Sequence, residues 1–130
     1  MNESRTLRTA FLANAAFSLT CAFLFVAFAN PLARIAGLAG PLPLEIVGAG
    51  LLPFGAALIW LSRREILTLG VGRLISLMDA QWVLGTAILL IGWPDLLSPT
   101  GRALAVAIAA IVACLAVWQL HGARRLAVLA

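Results

Sequence analysis

Four apolar runs, at about 9–29, 45–61, 74–92 and 103–120, set the frame for any fold this chain can adopt. Each holds 17 to 21 residues, and a helix rising ~1.5 Å per residue crosses a ~30 Å hydrocarbon core in about 20. Lipid offers no partner to open backbone N–H and C=O groups, so a crossing segment has to close its own hydrogen bonds. The runs lack the alternation of barrel strands, which leaves helices. The composition agrees: 63% of residues are hydrophobic and 11% charged, where a water-soluble domain carries about a quarter charged. Disorder is excluded on the same grounds. A secreted disulfide scaffold is excluded too, because Cys21 and Cys114 are the only cysteines. The chain reads as an all-α polytopic membrane protein, a four-transmembrane-helix bundle forming one membrane domain over 1–130.

The charges between the runs predict orientation. All nine basic residues are arginines. Arg5, Arg8, Arg63, Arg64, Arg73, Arg124 and Arg125 flank the runs on one side of the expected bundle, and only Arg34 and Arg102 fall on the other. By the positive-inside rule both termini are cytoplasmic. The absence of lysine and tyrosine beside abundant Ala, Gly and Arg fits a GC-rich bacterial genome, which makes the expected location the bacterial inner membrane. Trp60, Trp93 and Trp118 sit near run ends, where an indole suits the interface, whereas Trp82 lies well inside the third run. A basic net charge of +4 raises nucleic acid as a partner, but no basic stripe with interleaved aromatics supports it. The expected partners are the lipid bilayer and either further copies of the chain or a larger membrane complex.

Arg5 and Arg8, an apolar run and then Ala27-Phe28-Ala29 have the outline of a signal peptide. A signal core is typically ~7–15 residues, shorter than this run, so the segment reads as a span. The 30–37 stretch, with Asn30 as cap, Pro31 at the first helical position and Gly37 to close, predicts a short surface helix whose Arg34 reaches for head groups. Asp95-Leu96-Leu97-Ser98 predicts a similar turn. The 66–72 stretch is too short to cross and is expected at the interface.

Sliding the chain by 65 residues sets Arg8 on Arg73, Asn14 on Asp79, Phe17 on Trp82, Phe28 on Trp93 and Asn30 on Asp95. A four-residue deletion then sets Arg63-Arg64 on Arg124-Arg125. Halves 1–65 and 66–130 would form a parallel two-helix repeat with its axis along the membrane normal. The competing explanation is that any two apolar hairpins obeying the same charge rule look alike.

Asp79 is the one charged residue well inside a run. A carboxylate at a helix centre costs ~2.5–3.5 kcal/mol on insertion scales, so it is expected to face protein or water. It lies six residues after Arg73, or about 9 Å along the axis, and Asn14 sits at the matching depth of the first run. Asn14, Ser18 and Cys21 follow i, i+4, i+7 spacing, and the repeat counterpart is Asp79, Val83, Thr86. Three roles are open to Asp79: a proton- or ligand-binding carboxylate, a polar clamp with Asn14, or an ion pair with Arg63 or Arg64. Gln81, Gln119 and His121 lie at similar depth and complete the candidate polar intramembrane site.

No enzyme class gains support, and no catalytic residue is named. His121 is the only histidine, which excludes a di-histidine metal or haem site within one chain. Neither cysteine has a CxxC partner, and Gly48-Ala49-Gly50 lies inside a run rather than in a phosphate loop. No metal or cofactor is expected. Gly48, Gly50, Pro53 and Gly55 give the second span a small-residue surface with a kink at Pro53. Ala105, Ala109 and Ala113 do the same for the fourth span. Such faces serve helix packing within or between chains.

Asn14-Ala15-Ala16-Phe17-Ser18, Asn30-Pro31-Leu32 and Asp79-Ala80-Gln81-Trp82-Val83-x-Gly85 resemble small four-span bacterial integral membrane proteins of unassigned function. The resemblance covers most of the chain and implies architecture only. The membrane glutamate expected in the first span of small multidrug transporters is missing, with Asn14 the polar residue there. The motif pattern of small fluoride channels is absent as well. The leading functional expectation is a non-enzymatic structural, accessory or scaffolding component. The alternatives are a small oligomeric transporter or channel using Asp79 and Asn14, and a quinone- or lipid-binding membrane module.

Overall fold

A computed structural model describes residues 2–65 and 67–129. Their elements are α1 (Asn2–Ala27), α2 (Ala29–Ala36), α3 (Leu42–Ser62), α4 (Leu69–Gly92) and α5 (Pro99–Leu129), and no strand occurs among the described residues. All but the short α2 are long and apolar enough to cross a membrane. The protein is therefore a small multi-pass integral membrane protein built as a four-helix bundle. Its long helices outrun the apolar runs at the ends that carry the arginines. Arg5, Arg8, Arg73, Arg102, Arg124 and Arg125 all lie inside helices. Arginine ends an apolar run but is a good helix former, so the backbone continues past it. Helix α3 runs unbroken through Pro53.

The bundle is built as a row, α3 against α1, α1 against α5 and α5 against α4. Small residues make each of these seams. In α3, Gly48 lies against Ala22, Phe25 and Val26 of α1, and Gly55 against Leu19. Between α4 and α5, Gly72 lies against Ala123, and Ser76 Oγ donates to the Ala116 carbonyl at 3.1 Å. Between α1 and α5, a Cβ on Gly122 would come within 3.0 Å of the Leu7 backbone nitrogen. Helices α3 and α4, the two ends of the row, scarcely approach each other.

Leu7, Phe11, Ala15, Leu58, Leu67, Ile75 and Ala123 form the apolar core. It lies at the end of the bundle where α1 and α4 begin and α3 and α5 finish, which is also the arginine-rich end. There Arg8 donates from Nη1 to the Ser62 carbonyl (2.7 Å) and from Nη2 to the Glu65 carbonyl (2.9 Å), satisfying acceptors left open by the end of α3. In the 66–72 stretch Ile66 lies outside the described residues. Leu67 is buried in the core rather than resting at an interface, Thr68 caps α4 by accepting from Val71 N, and Leu69 begins the helix.

At the opposite end α2 forms where the Pro31 and Gly37 signals place it. Gly37 closes it in the left-handed region at φ 77. The capping position is Phe28, with Asn30 inside the helix, and no side chain caps it. Ala29 and Ala33 are buried while Arg34 and Ile35 face outward. Ser98 joins this end to α5: its Oγ donates to the Ile35 carbonyl (2.7 Å) and accepts from Gly101 N (3.0 Å), an N-cap bond.

Candidate functional site

Asp79 sits on the buried face of α4 with Gly72, Ile75 and Ser76. Its side chain meets amides from two other helices. Asn14 Nδ2 on α1 donates to Asp79 Oδ2 at 2.7 Å, and Gln119 Nε2 on α5 donates to the same oxygen at 2.7 Å. Asn14 Nδ2 also donates to Gln119 Oε1 at 2.9 Å, which closes a ring of three side chains. Ser18 Oγ donates to Asn14 Oδ1 at 3.1 Å and fixes that amide's orientation. Asn14 is 1% exposed, Gln119 0% and Asp79 5%. The ring crosses the bundle from α1 to α4, whose backbones stay apart, so these side chains fill the space between them.

Only one carboxylate oxygen is used. Asp79 Oδ1 accepts no hydrogen bond among the described residues, yet no fully buried side-chain nitrogen or oxygen there lacks a partner. Oδ1 therefore keeps accessible surface. Asp79, Asn14 and Ser18 border a cavity of about 310 Å³. Helices α1 and α5 form its floor and α3 and α4 its walls, so it occupies the open end-to-end gap of the row as a cleft. Apart from the three polar residues the lining is apolar, with Phe17, Phe25, Phe54 and Trp82 supplying aromatic surface and no basic side chain among the described residues. Gly50 lies on the α3 wall, and a Cβ there would meet nothing within 4 Å.

Of the six residues expected to form a polar site, the structure brings together Asp79, Asn14, Ser18 and Gln119. Gln81 and His121 are exposed and stand outside the ring. Asp79 bonds amides rather than Arg63 or Arg64, and Arg64 instead lies over the Trp60 ring at 4.8 Å. Among the small residues, Gly48 and Gly55 are buried against α1, Ala105, Ala109 and Ala113 are half-buried on α5, and Gly50 and Pro53 are exposed. No group of three His, Cys, Asp or Glu side chains able to hold a metal ion occurs among the described residues. Sequence reasoning did not find the cleft. Its one forewarning was Trp82, an indole inside a span rather than at its end.

Comparison with protein families, curated proteins and solved structures finds no match to this chain.

Proposed function

We propose that this protein is a non-enzymatic accessory or scaffolding component of the bacterial inner membrane, working as a homo-oligomer or within a larger membrane complex. The observation that carries this reading is the closed Asn14–Asp79–Gln119 ring. Most of the polar capacity the chain places inside the membrane is spent on holding three helices together. Polar contacts of this kind stabilise membrane helix association by roughly 0.6–2 kcal/mol each. The arginine excess at the end bearing both termini supports a cytoplasmic placement of that end. Small residues left outward on α3, Ala49, Pro53 and Ala56, are available to a neighbouring helix. Chemical cross-linking in native membranes, followed by extraction in mild detergent, is expected to recover the chain in an assembly larger than itself. Recovery as a monomer at every detergent strength contradicts the proposal.

A second reading, a small transporter or binding module using Asp79 and Asn14, is favoured by a separate observation. Asp79 keeps an unbonded oxygen, Oδ1, and borders an apolar cleft that opens between two spans.

A further inference from the structure

The polar end of the α3–α4 cleft is one-sided in its chemistry. Asn14 Nδ2 is committed to Asp79 and Gln119, and the Ser18 hydroxyl proton to Asn14 Oδ1. What the ring residues leave unused is acceptor capacity, namely Asp79 Oδ1, the Ser18 Oγ lone pairs and the second lone pair of Asn14 Oδ1, while the donors elsewhere in the lining are the Trp82 indole N–H and the Cys21 thiol. A head group that meets Asp79 has to donate. The lining carries a carboxylate and, among the described residues, no basic side chain, and an ionisable group within a membrane faces the bundle interior or water and pairs with another such group where it can. A cationic head supplies such a group, whereas an anionic head would repel the carboxylate. Below the polar end the walls are apolar, and Phe17, Phe25, Phe54 and Trp82 offer ring surface that attracts cations as well as apolar bodies. At about 310 Å³ the space lies at the small end of the ~300–1,000 Å³ range of ligand pockets.

We propose that the cleft between α3 and α4 binds a small amphiphilic monovalent amine. Its ammonium group donates to Asp79 Oδ1 and Ser18 Oγ, and its apolar body lies along the aromatic wall. The amine enters sideways from the bilayer, through the gap that α3 and α4 leave. Asp79 then has two tasks divided between its oxygens, with Oδ2 held by the ring and Oδ1 presented to the ligand. This deepens the second reading of function and rests on the cleft being a binding place. It does not depend on the scaffold proposal.

The test uses the full chain in nanodiscs, titrated with 2-naphthylmethylamine, 2-naphthylmethanol and 2-naphthoate, with empty nanodiscs correcting for partition into lipid. The three probes share one aromatic body and differ in the head. The amine is expected to bind saturably and about tenfold or more tighter than the alcohol, a difference of the size a charge-assisted hydrogen bond supplies. Naphthoate is expected not to compete. Asp79→Asn keeps a carbonyl able to accept from Asn14 and Gln119 while removing the charge, so amine affinity should fall to that of the alcohol. Gly50→Leu places a side chain in the cleft and should abolish binding of both. Alcohol binding as tightly as amine, or naphthoate binding best, overturns the amine assignment while Gly50→Leu still blocks the site. Absence of saturable binding by all three probes, or binding indifferent to Gly50→Leu, overturns the cleft as a binding place. If Asp79→Asn does not fold, the ranking of the three probes on the wild-type chain decides the matter.

Discussion

The α1–α5 seam and the α3–α4 seam occupy opposite sides of the bundle, and one is closed while the other stands open. If the halves of the chain are repeats, the two seams would be counterparts. Lipid removes the hydrophobic drive between helices, so a seam closes only where packing or polar contact outdoes contact with lipid tails. The α1–α5 seam has both. Gly122 lets α5 approach the Leu7 backbone, Phe11 and Ala15 are buried, and Gln119 reaches Asn14. The α3–α4 seam has neither. Its flanks present bulky side chains, Ile46 at 62% exposure and Trp82 at 37%, and no hydrogen bond joins the two helices among the described residues. The row α3–α1–α5–α4 thus ends in two spans with a cleft between them.

That contrast can be broken from the closed side. Gly122→Val drives a branched side chain into the Leu7 backbone, which has little room to give. Overpacking of this kind costs about 1–3 kcal/mol, and it should be read as the largest fall in unfolding free energy in a detergent or lipid titration. Gln119→Leu should cost less, about 1–2 kcal/mol, because it removes a buried donor to Asp79 and an acceptor from Asn14 without a clash. The smallest effect is expected at the open seam. Gly50→Leu meets nothing within 4 Å of its Cβ, and a substitution into free space should stay within about 0.5 kcal/mol of wild type. A Gly50→Leu loss as large as that of Gly122→Val would mean the cleft is closed in the membrane.

Much of the architecture was legible because it follows from the solvent. Four apolar runs forced four helices, and the clustering of seven arginines matches the end where α1 and α4 begin and α3 and α5 finish. Equal depth in two spans made a clamp between Asn14 and Asp79 one of three open readings, beside a ligand-binding carboxylate and an ion pair with Arg63 or Arg64. Depth alone could not separate Gln119 from Gln81. Rotation could: Gln81 lies two residues beyond Asp79, about 200° around the helix and so on the far face. Gln119, by contrast, continues the buried series Val112, Leu115 and Ala116 of α5. Helix ends were misjudged where arginine stopped the apolar run without stopping the helix. The capping of α3 by Arg8 was missed because Arg8 and Ser62 are 54 residues apart and meet only once α1 and α3 pack. The cleft was missed for a related reason. It results from which helices do not touch, and no single span records that.

The polar ring couples the helices of the closed seam. A double-mutant cycle of Asn14→Leu and Gln119→Leu, measured as unfolding free energy in lipid, tests it most directly. The two side chains should show a coupling between about 0.6 kcal/mol, the average measured for polar pairs inside membranes, and about 1.7 kcal/mol, the largest. Additive losses, with a coupling indistinguishable from zero, would mean that the ring does not couple the helices.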